Sequence, residues 1–566
     1  MKPMDLVSSF RAGLAGIGVV IAVLAVDAQT PPKLPDTPID ANKITGHVKI
    51  LASDDFQGRG PATAAEQKTV DYISKQLAAA GVQPGGDRDA HGTRRWTQDV
   101  VLLQSDVDGA LSSSFTIRGA TVPLKQAEQI SVRSSLLPTK HVSVKNAPVV
   151  FMGYGVSAPE RKWDDFKGLD LRNKIAVVLI NDPDFEANLA GRFDGKAMTY
   201  YGRWTYKFEE AARRGAMGVL VVHETAPASY GWDTVKNSNT NTMFDIVRDK
   251  PADIHPPVEA WIQRNVAVDL FKRAGLDFEA EKKKAQSDAF KPVPLGDATF
   301  SLDYAVKQAR VVSKNVVGLL PGKTYPNETV IYSAHWDHLG VGQPDTRGDR
   351  IYNGARDNAL GVASILELAR VFGKAPRTDR SVVFLFVTVE EKGLLGSEYY
   401  ARHPVYPLET TVGVYNVDAP ATWGPARDVA VSGEGKVSLQ DDLGAVARAQ
   451  GRRLSPDPRP EAGSFFRSDH FSFAKVGVPA ISLESGEDLY QGGAKAGKAA
   501  SDAYEDKQYH QPADEWSSNW DLRGVAVDLG LAYQLGRDLA NSRRWPEWHK
   551  DSEFKGIRDK SAASRK

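Results

Sequence analysis

The strongest constraint on the fold is a regular alternation of apolar runs and amphipathic helical segments, which begins near residue 310. The apolar runs have the length of buried strands, and the segments between them have helical periodicity. Such alternation is typical of α/β proteins, in which a mostly parallel sheet carries helices on both faces. The predicted strands are Thr329–Ser333, Val382–Val389, Val412–Val417 and Ala480–Leu483, and the predicted helices are Asn358–Phe372 and Val525–Leu539.

The composition limits the chemistry that the chain can perform. With 566 residues and 42% hydrophobic content, the chain can form two or three domains with buried cores. The 71 lysines and arginines balance the 71 aspartates and glutamates, and a net charge of zero argues against nucleic-acid binding. The absence of cysteine excludes disulfides, thiolate nucleophiles and cysteine-based zinc sites. Any metal site must therefore use histidine, aspartate and glutamate.

The N-terminus has the pattern of a secretory signal. Lys2 and Arg11 precede an apolar run of 15 residues from Ala12 to Val26, whereas a helix that crosses a bilayer needs about 20 residues. Small residues follow this run, so we expect residues 1–28 to be a signal peptide that is cleaved after Ala28. An uncleaved membrane anchor is the alternative. The sequence therefore predicts a periplasmic or secreted protein with no stable membrane span after cleavage.

The remainder of the chain divides into a main domain, an insert and a tail. The insert is predicted because the sequence pattern changes there to short strands separated by glycine and proline. The insert shows no obvious catalytic group. We expect it to act as a lid or spacer, and we expect the polar, basic tail to be a frayed terminus. The predicted parts are residues 29–125 and 300–545 for the main domain, residues 126–299 for the insert and residues 546–566 for the tail.

Side chains of the metal-ligand type follow the ends of the predicted strands. In an open α/β sheet, ligands bind outside the carboxyl ends of the strands. Two histidines and several carboxylates, without thiols, are suited to two divalent cations bridged by one carboxylate. The residues concerned are His335 and Asp337 after the first strand, Asp357 before a helix, Glu390 and Glu391 at the end of the second strand, Asp418 after the third strand, and His510 further along the chain.

Taken singly, each of these residues has a simpler structural explanation. His335 and Asp337 could form a hydrogen bond at a strand end, and Asp357 could cap a helix. Glu390 and Glu391 could favour the dipole of the next helix. Two adjacent carboxylates at the tip of an apolar strand are nevertheless costly unless a cation compensates them. The prediction of a metal site therefore depends on the ordered set of residues.

The same set makes the chain resemble the co-catalytic di-zinc exopeptidases, a family that includes leucyl aminopeptidases, aminopeptidase Y and glutamate carboxypeptidase II. The resemblance extends over about residues 40–545 and includes the segments Phe56–Gly60, Ser468–Phe471 and Gly477–Ala480. The insert resembles the protease-associated (PA) domain that several members carry in this position. The resemblance implies the zinc-exopeptidase (phosphorylase/hydrolase-like) α/β fold with a smaller β-rich domain inserted.

The resemblance also implies a role for each residue of the set. Asp357 would bridge two zinc ions, Glu390 would act as general base, and Asp337 would accept a hydrogen bond from the far nitrogen of His335. The zinc ligands other than Asp357 would be His335 and Asp418 for one ion, and Glu391 and His510 for the other. Two further histidines in the motif segments, at positions that are not ligand positions in the family, are His338 and His470.

The resemblance implies an exported metallo-exopeptidase that acts on peptides, and the segment Ser468–Phe473 favours an aminopeptidase. A carboxypeptidase or dipeptidase on the same scaffold is the main alternative, and Arg356 or Arg467 could then bind a free carboxylate. A receptor-like relative without activity and a glutaminyl cyclase relative are further alternatives. The complete ligand set favours an enzyme with two metal ions.

Overall fold

The computed structural model describes residues 34–187, 191–433 and 435–565. The predicted signal peptide, residues 1–28, lies outside these described residues. Within them, no helix combines the length and the apolar character that a membrane span requires.

Sixteen of the twenty strands in the described residues form one mixed sheet. Two short pairs, β6 with β7 and β14 with β15, lie outside it. The strands are β1 (Gln83–Pro84), β2 (Thr97–Ile117), β3 (Ala120–Leu124), β4 (Ile130–Val132), β5 (His141–Phe151), β6 (Ser157–Ala158), β7 (Trp163–Asp164), β8 (Ile175–Leu179), β9 (Gly218–His223), β10 (Met243–Ile246), β11 (Val258–Gln263), β12 (Val293–Leu320), β13 (Tyr325–His335), β14 (Gly340–Val341), β15 (Ile351–Tyr352), β16 (Arg380–Val387), β17 (Thr411–Asn416), β18 (Asp428–Val431), β19 (Arg453–Ser455) and β20 (Ala480–Ser485).

Fifteen α-helices accompany these strands in the described residues. A turn of π-helix, Ala355–Leu360, immediately precedes the ninth. The helices are α1 (Ala41–Leu51), α2 (Ala64–Ala79), α3 (Asp184–Ala187), α4 (Trp204–Arg213), α5 (Thr225–Ala228), α6 (Trp232–Asn239), α7 (Arg264–Arg273), α8 (Phe278–Ala285), α9 (Gly361–Lys374), α10 (Leu395–Arg402), α11 (Ser438–Ala449), α12 (His470–Lys475), α13 (Gly493–Lys507), α14 (Arg523–Asn541) and α15 (Lys555–Asp559).

The main domain is built on the neighbouring parallel strands β20, β17, β13 and β16. Every residue of β16 and β17 is buried, which explains why their sequences are continuous apolar runs. Val330 and Tyr332 of β13 pack in the core that contains α1, α2, α9 and α14. The intervening Ile331 packs on the opposite face with Tyr400 of α10 and Phe473 of α12. The prediction of a mostly parallel sheet with helices on both faces is therefore confirmed.

The residues of the predicted insert extend the same sheet. Strands β5, β8, β9 and β11 are parallel neighbours, and β4 pairs antiparallel with β11. The long strand β12 joins the two regions, because it pairs antiparallel with both β16 and β5. This strand runs through residue 299, so the predicted boundary falls inside a continuous strand.

Helix α2 begins with side-chain hydrogen bonds to backbone N–H groups. Thr63 Oγ1 accepts a hydrogen bond from the backbone N–H of Ala65 at 3.2 Å. Glu66 Oε2 accepts one from the backbone N–H of Ala62 at 2.6 Å. The hydroxyl of Thr63 and the carboxylate of Glu66 thus each accept a hydrogen bond from a backbone N–H group near the start of the helix.

The C-terminal segment differs from the frayed terminus expected from its charge. Trp548 is buried, and its Nε1–H donates a 2.8 Å hydrogen bond to the backbone oxygen of Gly477. The buried Arg558 guanidinium donates to the backbone oxygens of Leu408 and Thr411 at 3.1 and 2.9 Å. Aromatic burial and these hydrogen bonds attach the segment to the main domain, which the basic composition of the segment did not indicate.

Candidate metal centre

Three neighbouring parallel strands carry four of the predicted site residues to one edge of the sheet. His335 is the last residue of β13, Asp418 lies just beyond β17, and Glu390 and Glu391 follow β16. Because β16 and β17 flank β13 in parallel, their carboxyl ends lie side by side. The two remaining ligand candidates come from elsewhere, Asp357 from the π-helical turn before α9 and His510 from the segment between α13 and α14.

One histidine and two carboxylates form a first ligand group. His335 Nε2 lies 3.2 Å from Asp357 Oδ1 and 3.2 Å from Asp418 Oδ1. Ser468 Oγ donates a 2.7 Å hydrogen bond to the other oxygen of Asp418, which fixes the orientation of that carboxylate. These three side chains can hold one metal ion.

A second histidine and a further carboxylate lie on the other side of Asp357. His510 Nε2 is 3.0 Å from Glu391 Oε2 and 3.3 Å from Asp357 Oδ2. The two oxygens of Asp357 therefore face different histidines, as a carboxylate shared by two metal ions must. His338 Nδ1 lies 2.5 Å from Glu391 Oε1 and belongs to a ligand group with Glu391 and Asp357. In the family resemblance His338 is outside the ligand positions, so its proximity to Glu391 is not expected from the sequence.

The pKa values show that the group is suited to cations. Burial lowers the pKa of His335, but nearby carboxylates, first of all Glu390, outweigh it and raise that pKa well above its usual range. Burial also lowers the pKa of His510, but Glu391 and Asp357 outweigh it and raise that pKa to about 9. Burial raises the pKa of Asp357, but hydrogen bonds from the two imidazoles lower it well below its usual range. Protons on the imidazoles thus balance the carboxylates, and metal ions can replace these protons.

The donor set fits zinc. Imidazole nitrogens and carboxylate oxygens are zinc ligands, and the chain has no cysteine that could take their place. Each of the two groups contains one histidine and shares the carboxylate of Asp357. A pair of ions with one bridging carboxylate is consistent with this arrangement.

Glu390 and Asp337 are hydrogen-bonded to each other next to the ligand groups. The backbone N–H of Glu390 donates to Asp337 Oδ1 at 3.1 Å, and Glu390 Oε2 is 4.0 Å from His335 Nε2. His335 Nδ1 lies 3.1 Å from the backbone oxygen of Asp337 and 3.8 Å from its carboxylate. The nearest acceptor for the far nitrogen of His335 is therefore the main chain of Asp337, whereas the resemblance implied its carboxylate. Burial raises the pKa of both carboxyl groups, that of Asp337 to about 7.

Arg59 is a completely buried residue that supports two loops of the site. The resemblance included its segment, Phe56–Gly60, but gave it no role. The loops that Arg59 supports carry Asp337 and Asp357, so its hydrogen bonds help to define the positions of both. It donates to the backbone oxygens of Trp336, Asn353 and Gly354 at distances of 2.9, 2.6 and 2.8 Å.

Asp514 holds the backbone of the bridging residue. Its carboxylate accepts hydrogen bonds from the N–H groups of Arg356 and Asp357, each at 3.0 Å. The hydroxyl of Tyr504 donates to the same carboxylate at 3.1 Å. The sequence analysis did not identify Asp514, since an isolated aspartate after His510 carries no signal of burial.

Helix α6, which lies in the predicted insert, contacts the metal centre directly. Ser238 Oγ lies 2.7 Å from His510 Nδ1, and the Asn237 side chain donates to the backbone oxygen of His510 at 2.9 Å. Lys392, adjacent to Glu391, donates to the backbone oxygen of Ser238 at 2.8 Å. The insert is therefore part of the site wall, in addition to any role in limiting access.

Two cavities of about 180 Å³ each lie beside the ligand groups and share one wall. The insert-side cavity is lined by residues of the predicted insert such as Arg203, Tyr230 and Ser238. The acidic cavity is lined by seven carboxylate side chains, among them Asp418 and Glu484, and by three arginines, Arg356, Arg459 and Arg467. Four residues line both cavities and form the shared wall: Glu390, Arg467, Tyr509 and His510.

Comparison with known proteins identifies the family of this region. Residues 315–533 match the model of peptidase family M28. The chain therefore contains a domain of peptidase family M28, and all seven predicted site residues lie inside the matched range. The family resemblance inferred from the motifs is confirmed for this region.

Individual relatives match smaller parts of the chain. The probable lipoprotein aminopeptidase LpqL of Mycobacterium tuberculosis is 27% identical over 202 residues, which are 32% of this chain and 39% of that protein. Aminopeptidase YwaD of Bacillus subtilis is 27% identical over 197 residues, which are 34% of this chain and 39% of that protein. The matches thus span about two-fifths of the length of these curated relatives.

A solved structure extends the similarity of fold to most of the chain. The structure of an aminopeptidase from Aneurinibacillus sp. strain AM-1 matches with a TM-score of 0.51 at 20% identity. The match covers 88% of this chain and 94% of that chain. At this level of identity the comparison shows a shared fold.

Proposed function

We propose that this chain is an exported metallo-aminopeptidase that removes N-terminal residues from peptides and uses two zinc ions. One observation carries the proposal: the two carboxylate oxygens of Asp357 lie 3.2 and 3.3 Å from the Nε2 atoms of His335 and His510. The family M28 domain and the relatives named as aminopeptidases support the same activity.

The five ligand candidates would divide between the two ions. His335 and Asp418 would hold one zinc, His510 and Glu391 would hold the other, and Asp357 would bind both. When bound, such a pair of ions lowers the pKa of water toward about 7 and polarises the scissile carbonyl group. The remaining residues of the site then have to orient the peptide and move one proton.

Glu390 is the general base in this proposal. It lines both cavities, and because it is adjacent to Glu391, one carboxylate can bind metal while the other faces the substrate. The Glu390 carboxylate takes the proton of the attacking water and delivers it to the leaving amino group. Asp337 positions this base through the 3.1 Å hydrogen bond from the Glu390 N–H.

The acidic cavity favours removal of residues from the amino end. Carboxylates of Asp418 and Glu484 line this cavity, and Glu390 reaches it from the shared wall. Because Asp418 is assigned to zinc and Glu390 to proton transfer, Glu484 is the candidate among these three to accept the charge-assisted hydrogen bond of a free N-terminal ammonium group. A blocked amino group would lose this interaction, so peptides acetylated at the N-terminus are expected to be poor substrates.

The proposal is tested by metal analysis of the purified protein together with a panel of aminoacyl-nitroanilides. We expect about two zinc ions per chain, activity on at least one nitroanilide, loss of activity with a chelator, and recovery when zinc is returned. An N-terminally acetylated form of the best substrate serves as the matched control. Full activity in metal-free protein, or equal activity on the acetylated substrate, would contradict the proposal.

We also propose that residues 1–28 direct export to the periplasm or to the medium, and that residues 126–299 are a PA-like domain. The length of the apolar run and the small residues that follow it support cleavage after Ala28. Sequencing the N-terminus of the exported protein tests this proposal. A first residue other than Gln29, or retention of the whole segment, would contradict the cleavage site.

A further inference from the structure

The insert-side cavity contains a buried guanidinium without a protein partner. Arg203, at the start of α4, is only 8% exposed and lines this cavity. Its Nε is buried without a hydrogen-bond partner, and its side chain forms no ion pair within the described residues. Burying a cation without a counter-charge is costly. An anion supplied by a ligand would remove this cost.

A second arginine faces the same space. Arg467 donates hydrogen bonds to Tyr509 Oη at 2.9 Å and to Ser229 Oγ at 3.2 Å, both of which are neutral partners. Its guanidinium also lies 5.3 Å from the ring centre of Tyr230. Arg203 and Arg467 both line the insert-side cavity. Burial and the positive charge of Arg467 lower the pKa of Arg203 to about 10.

Other arginines of this cavity are paired, which sets Arg203 and Arg467 apart. Arg133 lies 3.5 Å from a carboxylate oxygen of Glu259. Arg248 lies 2.7 Å from Asp245. Within the described residues, neither Arg203 nor Arg467 has a carboxylate within 4.0 Å. The two arginines thus lack an ion pair among the described residues, although Glu505, which pairs with Arg459 at 3.2 Å, also acts on Arg467. Burial lowers the pKa of Arg467, but Tyr509 and Glu505 outweigh it and raise that pKa.

Arg467 is next to the metal centre. Tyr509, which accepts the hydrogen bond from Arg467, has its ring 3.9 Å from the ring of His510. On the other side, Arg467 is followed by Ser468, which donates to Asp418. One extended residue spans about 3.3–3.6 Å. Arg203 and Arg467 line the same cavity as Glu390 and His510, so a peptide bound at the metal centre can extend along this cavity toward the two arginines.

We propose that Arg203 and Arg467 bind a carboxylate of the residue that follows the scissile bond, which is the free α-carboxylate when the substrate is a dipeptide. A guanidinium binds a carboxylate through two parallel hydrogen bonds, and such charge-assisted pairs are strong. The inference rests on the proposed function, because it names the substrates that this site prefers. Short peptides are favoured over long ones unless the second residue of the peptide is itself acidic.

Three substrates with the same N-terminal residue X test the inference in the zinc-loaded enzyme. X is the residue preferred in the nitroanilide panel, and the substrates are X-Ala, X-Ala-amide and X-Asp-amide. We expect kcat/KM for X-Ala to exceed that for X-Ala-amide by about 10- to 100-fold, since a hydrogen bond to a charged group is worth about 1.5–3 kcal/mol. If X-Asp-amide is also preferred over X-Ala-amide, the arginines accept a side-chain carboxylate as well.

Substitution of Arg203 separates recognition from a structural role. In Arg203→Met the preference for X-Ala over its amide should fall toward one, mainly through KM, whereas Arg203→Lys should keep part of it. Arg273→Met, which removes an exposed arginine paired with Asp269 at 2.6 Å, is the matched control and should change neither substrate. Equal cleavage of acid and amide by the unsubstituted enzyme, or an equal loss for both substrates in Arg203→Met, would overturn the proposal.

Binding measurements distinguish failure of this proposal from failure of the proposed function. Calorimetric titration of the zinc-loaded Glu390→Gln protein with X-Ala and with X-Ala-amide needs no turnover. Tighter binding of the acid, lost when Arg203→Met is added, supports the carboxylate site even if the enzyme cleaves nothing. Equal affinities for acid and amide overturn the carboxylate site even if aminopeptidase activity is demonstrated.

Discussion

Ser238 Oγ lies 2.7 Å from His510 Nδ1, although the two residues are 272 positions apart in the chain. In the neutral imidazole, donation from Nδ1–H to this hydroxyl leaves Nε2 without a proton, and Nε2 faces Glu391 and Asp357 at 3.0 and 3.3 Å. A residue of the predicted insert thus selects the form of a predicted zinc ligand that can bind metal.

Removal of this hydroxyl should weaken zinc binding. We expect Ser238→Ala to raise the dissociation constant for zinc by about tenfold, because partners of a metal-bound histidine contribute 10- to 100-fold to affinity. Competition with a fluorescent chelator measures this constant, and Ser238→Thr should restore it. Thr240→Ala is the control, since this hydroxyl donates to the backbone oxygen of Lys236 at the end of the same helix. Equal zinc affinity in Ser238→Ala and the control would contradict the assignment.

Substitution of the base and of the bridging residue should have separable effects. Glu390→Gln should keep both zinc ions and lose about 100- to 10,000-fold in kcat, the usual contribution of a general base. Asp357→Ala should lose zinc as well as activity, since both ligand groups use this carboxylate. Zinc content and turnover are measured on the same samples. Nearly full activity in Glu390→Gln would show that another residue is the base.

An ion pair joins the insert to the main domain, and its loss should destabilise the protein. Arg248 binds Asp245 at 2.7 Å and Glu398 of α10 at 2.9 Å, and all three side chains are largely buried. We expect Arg248→Met to lower the free energy of unfolding by about 3 kcal/mol, because two buried carboxylates each lose one charged partner and keep Arg402 and His255. Urea denaturation measures this change.

The control for this experiment is a substitution of Arg402, an exposed arginine that pairs with the same Glu398 carboxylate. Arg402 pairs with Glu398 at 2.6 Å, but its side chain is 53% exposed. Arg402→Met should therefore cost about 1 kcal/mol or less. Similar losses for the two variants would show that burial of the Arg248 pair has no special effect on stability.

His255 should make stability depend on pH. Burial lowers its pKa, but Glu259 at 2.7 Å and Asp245 at 3.1 Å outweigh this and raise the pKa to about 9. Arg133 and Arg248 pair with the same two carboxylates and limit the effect. Because the folded protein holds this proton more tightly than the unfolded chain, the stabilisation is complete below about pH 6.5 and is lost as the pH rises to about 9.

The size of this dependence can be measured against a surface histidine. A tenfold change in proton affinity is worth about 1.4 kcal/mol, so the contribution of His255 is on the order of 3 kcal/mol at most. His255→Gln should therefore flatten the fall in stability between pH 6.5 and 9. His141→Gln, which removes an exposed histidine 3.1 Å from Asp303, should leave the fall unchanged. An unaltered pH profile in His255→Gln would refute the prediction.

The central strands and the site edge could be predicted because their signals are local. Strands β16 and β17 and the second half of β13 are buried on both faces, so their sequences are mainly apolar, and the polar residues at their carboxyl ends mark the sheet edge. The helix predicted from Asn358 begins instead at Gly361, because the π-helical turn of Ala355–Leu360 comes first. Residue types at strand ends thus predicted the site better than helix boundaries did.

The supporting residues could not be predicted, because their partners are distant in sequence. Arg59 acts on backbone oxygens about 300 positions away, and a backbone oxygen leaves no mark in the sequence. Ser238 and Arg203 belong to a region whose pattern indicated only short strands separated by glycine and proline. Their relation to His510 and Arg467 depends on how the insert packs, which hydrophobic periodicity does not specify.

Strand β12 restricts how the substrate can enter. Its 28 residues pair with β16 in the main domain and with β5 and β2 toward the insert. A flexible linker would let the insert rotate as a unit. Rotation about β12 would instead break its backbone hydrogen bonds to β2 and β5. The insert is therefore fixed to the main domain by backbone hydrogen bonds, so a swing of the whole insert is not expected to open the two cavities.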